Sequence, residues 1–160
     1  MKPLYQALKS GHYSSTEGMT SYKSAKDIYK EIGYDLDELL VQDPNYYNTC
    51  AIRMSLALLK ANVFFRGRLL VKDGRFKGRY VEPGAIRLAD QLRMSHSFGK
   101  PFVFLDRINA IKGIGNRHGV VFFHTIPSYG GGHIDLYEPI EMCNSNCFFH
   151  ARETWFWPLL

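Results

Sequence analysis

Asn48-Thr49-Cys50-Ala51-Ile52-Arg53-Met54-Ser55 is the stretch on which the fold turns. Turn formers precede it in Asp43-Pro44-Asn45, and the helix formers Leu56-Ala57-Leu58-Leu59-Lys60 extend it. Asn48 or Thr49 can cap the helix by accepting a backbone N–H, which sets Cys50 in its first turn. Cys50, Met54, Ala57 and Ala61 then fall on one helical face. Two readings of Cys50 follow. A thiol at a helix N-terminus feels the positive end of the helix dipole, which favours the nucleophilic thiolate. The alternative, which the spacing alone favours, is a buried cysteine packing as a small apolar side chain.

Upstream of this helix, residues 1 to 20 read as loop or a short helical turn. Residues 21 to 33 read as a helix, with Ser24 as cap, an apolar stripe of Ala25, Ile28, Tyr29 and Ile32, and Gly33 as the stop. Residues 35 to 41 add a short helix capped by Asp35. Downstream, the helix ends near Asn62, and residues 68 to 81 read as a hairpin turning at Asp73-Gly74. Ala85 to Met94 forms a further helix, and Gly99-Lys100-Pro101 ends it. Phe102-Val103-Phe104 is a short apolar segment.

The last third changes character. Val120 to Phe123 reads as a buried strand, Gly130-Gly131-Gly132 as a flexible turn, and His133 to Tyr137 as an alternating strand. Phe148-Phe149 and Trp155-Phe156-Trp157 supply more strand material. Helices first and an antiparallel sheet afterwards is an α+β order, in one domain spanning residues 1–160. No run of about 18 apolar residues is present, so no membrane span is expected. The first residues lack the apolar core of a secretory signal. Twenty basic residues against fifteen acidic leave a net charge of +5. The densest group, Arg66 to Arg79, lacks a recognition helix or RNA-binding aromatics, so no nucleic-acid partner is expected. That charge also suits an acidic polymer such as a cell wall.

The three cysteines are Cys50, Cys143 and Cys147. The last two can close a small loop, which leaves Cys50 odd and worth flagging as reactive. A zinc site would need a second ligand pair, and His150 adds only a third ligand. A reactive thiol needs an oriented base. Of His12, His96, His118, His124, His133 and His150, the glycine-flanked His133 at a strand opening has the most distinctive setting. Asp135 shares its strand face. Cys50 followed by His133 has the nucleophile-then-base order of papain-like folds. Asn144, Ser145 and Asn146 lie where the chain can return beside His133, and Asn144, then Asn146, is the first choice to orient the imidazole. Asp135 is the other candidate.

Asn48 to Ser55 and Gly132-His133-Ile134-Asp135-Leu136 together resemble the fourth family of type VI secretion amidase effectors, in the NlpC/P60-like cysteine peptidase superfamily. The tail Trp155-Phe156-Trp157-Pro158 is similar too, and the spacing matches over roughly residues 24 to 160. The resemblance implies a papain-like α+β fold and an antibacterial toxin injected into neighbouring Gram-negative cells, without a signal peptide, to act in the periplasm. It implies a DL-endopeptidase cutting the γ-D-glutamyl to meso-diaminopimelate bond of peptidoglycan stems, with Cys50 as nucleophile, His133 as base, no metal and no organic cofactor. A cognate immunity protein and the secretion apparatus are the implied partners, and a Cys143–Cys147 disulfide fits the family. The family usually places an aspartate about eleven residues after the histidine, whereas this chain has Asn144-Ser145-Asn146. Two other functions use the same residues: a cysteine acyltransferase of transglutaminase type, and a non-catalytic binding module with a structural Cys50.

Overall fold

The computed structural model describes residues 1–160. Its centre is α4 (Cys50–Lys60), in which every residue from Cys50 to Leu59 is buried. A helix buried along its whole length must be enclosed, and three of the groups around it set its position. On one side Ala51, Met54, Ala57 and Leu58 pack with Val120, Phe122, Ile134, Leu136, Trp155 and Trp157 of a sheet. On another, Ile52, Leu56 and Leu59 pack with Ile28, Tyr29, Ile32 and Leu39. Those four residues come from α2 (Ala25–Glu31), the residue after it, and α3 (Leu36–Gln42). The third is α1 (Tyr5–Lys9), whose Tyr5 and Leu8 join the first cluster.

The expected caps form. Ser24 Oγ accepts the Asp27 N–H at 3.1 Å, and the Asp35 carboxylate accepts the Glu38 N–H at 3.2 Å. Thr49 does not cap α4; Asn48 Oδ1 accepts the Cys50 N–H at 3.3 Å. The hairpin over residues 68 to 81 is shorter than its sequence suggests. Only β1 (Leu69–Leu70) and β2 (Tyr80–Val81) pair. Beyond that ladder Val71 still bonds the returning chain, its N–H donating to the Arg79 carbonyl at 2.8 Å and its carbonyl accepting the Gly78 N–H at 2.9 Å, whereas the Lys72 N–H donates to the Ile32 carbonyl at 2.9 Å.

After β2 come α5 (Ala85–Leu92), β3 (Phe102–Phe104) and α6 (Arg107–Ile114), then β4 (Gly119–His124), β5 (His133–Glu138), β6 (Met142–Cys143) and β7 (Glu153–Pro158). The last five strands form one antiparallel sheet in the order β3-β7-β4-β5-β6. The chain is therefore α+β, as its element order suggests. The helix α6 has no counterpart in the sequence reading. Only Ala110 and Ile114 of it are buried, so it carries almost no apolar stripe. Phe148-Phe149 is not a strand but a turn, closed by the Ala151 N–H on the Phe148 carbonyl at 2.8 Å. The Cys143–Cys147 disulfide, with Cα atoms 5.4 Å apart, holds the chain in a loop there. No helix is long and apolar enough to cross a membrane.

The register fixes the site. Phe123 stands opposite His133 and Val121 opposite Asp135. Ile134 and Leu136 alternate with these and join the α4 cluster. Gly132 is required for closeness rather than for flexibility, since a Cβ there would lie 2.5 Å from the Phe122 ring. Phe122 thus supports both the core and the start of β5. Phe122→Ala is expected to cost about 3–5 kcal/mol of stability, measured by urea titration.

Candidate active site

Three elements meet at Cys50. The first is α4 itself, which presents the thiol, 7% exposed, from its first residue. Cys50 is the one free cysteine, because Cys143 and Cys147 are joined. The second is β5, which brings His133 and Asp135 on the same face. The third is a strap of chain after α1, residues 10 to 23, which runs behind them.

The His133 ring lies parallel to Phe123, with centroids 6.2 Å apart, and meets Phe148 edge-on at 5.0 Å. Its Nε2 donates to Asp135 Oδ2 at 3.1 Å. That leaves Nδ1 as the nitrogen free to exchange a proton. Burial pushes the imidazolium toward release of its proton. The hydrogen bond to Asp135 and the nearby Cys50 sulfur outweigh burial and raise His133 from its ordinary 6.5 to about 10. At neutral pH the ring is thus a buried cation between a carboxylate and a sulfur.

Asp135 is almost fully buried and well supplied with donors. Oδ2 also accepts the Ser145 N–H at 2.8 Å, and Oδ1 accepts the Leu136 N–H at 2.8 Å. Asn144 reaches a different partner. Its Nδ2 lies 2.6 Å from His12 Nδ1, not against His133, and its carbonyl accepts from the Ser14 hydroxyl. Asn146 is exposed. Of the three candidates to orient the imidazole, Asp135 makes the hydrogen bond. The loop 144–146 contributes a backbone N–H to that carboxylate. Among the other histidines, His96 and His150 are exposed, His118 packs on Tyr5, and His124 bonds to Thr125.

Two buried groups were not legible in the sequence. Arg53, one turn beyond Cys50, is 3% exposed. Its Nε donates to Thr49 Oγ1 at 2.8 Å, and its Nη1 donates to the Ser14 and Lys23 carbonyls at 2.8 and 2.7 Å. It therefore clamps the strap to the start of α4. The signal was an arginine within an apolar helix, between Ile52 and Met54. His12 is the second. Burial lowers it from 6.5 to about 4, so it is neutral. Its Nε2 has no hydrogen-bond partner and lies 3.9 Å from Asp135 Oδ1. An unsatisfied buried donor of this kind costs about 1–3 kcal/mol.

A cleft of about 640 Å³ runs past Asn48 and Gly132, the neighbours of the Cys50 turn and of His133. Tyr46, Tyr47, Tyr129, Arg68 and Arg87 line it. Tyr129 accepts a hydrogen bond from Asn48 Nδ2, so the glycine loop is tied to the α4 N-terminus. Arg68 is held by Glu82, which is buried, through Nε and Nη2 at 2.9 and 2.7 Å. A thiol, a charged imidazole and a buried carboxylate beside an open cleft can carry out acyl transfer through a thioester.

The family model for the type VI secretion system (T6SS) amidase effector protein 4 matches residues 46–157. Solved structures share the fold at low identity. One is the effector Tae4 from Salmonella typhimurium in complex with the immunity protein Tai4 from Enterobacter cloacae. It is 17% identical, with a TM-score of 0.67 over 99% of this chain and 100% of that one. The Tae4–Tai4 complex of Salmonella Typhimurium is 17% identical with a TM-score of 0.66, and covers all of both chains. Tae4 from Enterobacter cloacae is 18% identical with a TM-score of 0.62, over 100% of this chain and 98% of that one. No curated protein sequence matches the chain significantly. The family match spans the Cys50 helix, the His133 strand and the aromatic tail, and by it the chain belongs to the type VI secretion amidase effector 4 family.

Proposed function

We propose that the chain is a cysteine endopeptidase of peptidoglycan stems, a single domain of residues 1–160 that hydrolyses the γ-D-glutamyl to meso-diaminopimelate amide. It acts in the periplasm of a rival Gram-negative cell and is held in check by a cognate immunity protein, as the Tae4 structures in complex with Tai4 suggest. The observation that carries the reading is the grouping around Cys50. His133 bonds the buried Asp135 at 3.1 Å beside the one free cysteine, which opens a helix. A structural cysteine has no use for a buried imidazolium and carboxylate beside it.

The residues divide the work as follows. The Cys50 thiolate attacks the amide carbonyl carbon while His133 holds the proton. The oxyanion displaces Asn48 Oδ1 from the Cys50 N–H, which then donates to it. The C–N bond breaks, and His133 gives its proton to the leaving amine of diaminopimelate. His133, now neutral, takes a proton from water as that water attacks the thioester. The thiolate leaves, and the imidazolium is restored. Asp135 holds the ring throughout, so that Nδ1 faces the reacting atoms. In a γ-linked stem the glutamyl α-carboxylate stays free beside the bond that is cut. Arg68 and Arg87, on the cleft wall, supply the matching cations.

Cys50→Ala should lower release of muropeptides from purified walls by roughly 10⁴-fold or more. Undiminished cleavage would overturn the reading, and a product joined to an added amine rather than to water would indicate an acyltransferase. Cleavage should persist into alkali and fall as pH passes about 10, where His133 loses its proton. Asp135→Asn should move that limb down toward 6.5 in a kcat/KM profile. By the same linkage the His133 contribution to stability is complete below about pH 6.5 and lost as pH rises through about 10. Arg87→Gln should raise KM by about tenfold, the worth of one charge-assisted hydrogen bond, with kcat nearly unchanged in steady-state assays on a stem tripeptide.

A further inference from the structure

Asp135 takes three hydrogen bonds: His133 and the Ser145 N–H share Oδ2, and the Leu136 N–H takes Oδ1. A fourth group, His12 Nε2, is buried without a partner 3.9 Å from Oδ1. His12 is not a stray core residue. The strap that carries it is fixed on both flanks, by Lys60 Nζ on the Gly11 carbonyl at 3.1 Å and by Arg53 Nη1 on the Ser14 carbonyl at 2.8 Å. On its other edge, Nδ1 sits 2.6 Å from Asn144 Nδ2. An amide nitrogen can only donate, so Nδ1 carries the lone pair and the proton is on Nε2. The opposite tautomer would turn a lone pair on the Asp135 carboxylate.

We infer that His12 is a positioning residue of the reaction centre, its Nε2–H aimed at Asp135 Oδ1, and that Asn144 acts through His12 by fixing this tautomer. The inference rests on the reading that Cys50, His133 and Asp135 do the chemistry. While His133 is an imidazolium, it balances the Asp135 charge and the His12 contact stays open. When His133 passes its proton to the leaving amine, the carboxylate, itself buried, loses that balance. The His12 N–H is already in place to close on Oδ1, so the carboxylate does not turn away from His133 before water is activated. Catalytic hydrogen bonds that are long at rest commonly shorten in this way. A neutral His12 suits the task, since a second cation would compete with His133 for the carboxylate. Arg53 and Lys60 disfavour that cation. The scheme also accounts for Asn144 standing eleven residues after His133. An aspartate there cannot donate to His12 Nδ1.

The test uses the full chain and a stem tripeptide. His12→Leu should lower kcat by about tenfold with KM unchanged, and His12→Gln, which keeps an N–H within reach, should recover most of the loss. In an Asp135→Asn background the His12→Leu loss should vanish, because the two side chains act on one charge. Imidazole nitrogen NMR of the wild-type protein should show His12 as the neutral Nε2–H tautomer, and Asn144→Asp should convert it to the imidazolium. A folded His12→Leu variant with wild-type kcat, equal losses in both backgrounds, or an Nδ1–H tautomer would each overturn the inference. If His12→Leu does not fold, the tautomer and the Asn144→Asp shift decide it. Wild-type activity in Cys50→Ala would instead refute the underlying reading.

Discussion

Asp135 carries a negative charge where water scarcely reaches, and the surrounding chain is arranged so that this charge is tolerable. An ionised carboxylate alone in such a place would cost several kcal/mol. Here it faces the His133 imidazolium, and it also accepts the Leu136 and Ser145 N–H groups, which leaves Oδ1 with room for one more donor. Each donor comes from a different structural decision. His133 is on the same strand face, and Leu136 is the next residue. Ser145 is on a loop that the Cys143–Cys147 disulfide holds against β5. The loop contributes a backbone group, so the side chains at 144 and 146 are free for other uses.

The same economy governs α4. Its whole length from Cys50 to Leu59 is buried, yet Arg53 and Ser55 lie within it. Ser55 is satisfied by the Glu82 backbone on both sides, accepting its N–H at 3.0 Å and donating to its carbonyl at 3.3 Å. Arg53 finds no carboxylate and is spread over the carbonyls of the strap. A guanidinium used in this way joins the first two dozen residues to the helix that bears the thiol. Burial of His12 follows from the same clamp. The N-terminal segment, which lies outside the residues matched by the family model, thus forms the back wall of the site.

The sequence by itself determined the parts whose physics is local. Helix formers after Asn48 place Cys50 in a first turn, Ser24 and Asp35 cap where capping residues should, and alternation puts His133 and Asp135 on one strand face. The turn of helices into strands near Gly119 gives the α+β class, and two motifs at the right separation identify the family. Tertiary structure decided what lies between those parts. Asp135, rather than Asn144, bonds the imidazole, because the disulfide-closed loop offers Ser145's backbone and turns the Asn144 side chain to the strap. No periodicity announces such a choice. The Lys72 N–H turned to Ile32 and Arg53 entered the core because distant segments supplied their partners. His12 lies 121 residues before His133, and only packing brings it within 3.9 Å of Asp135. Local chemistry fixes which groups a segment carries, but a buried charge is solved by whatever neighbours the whole chain can bring to it.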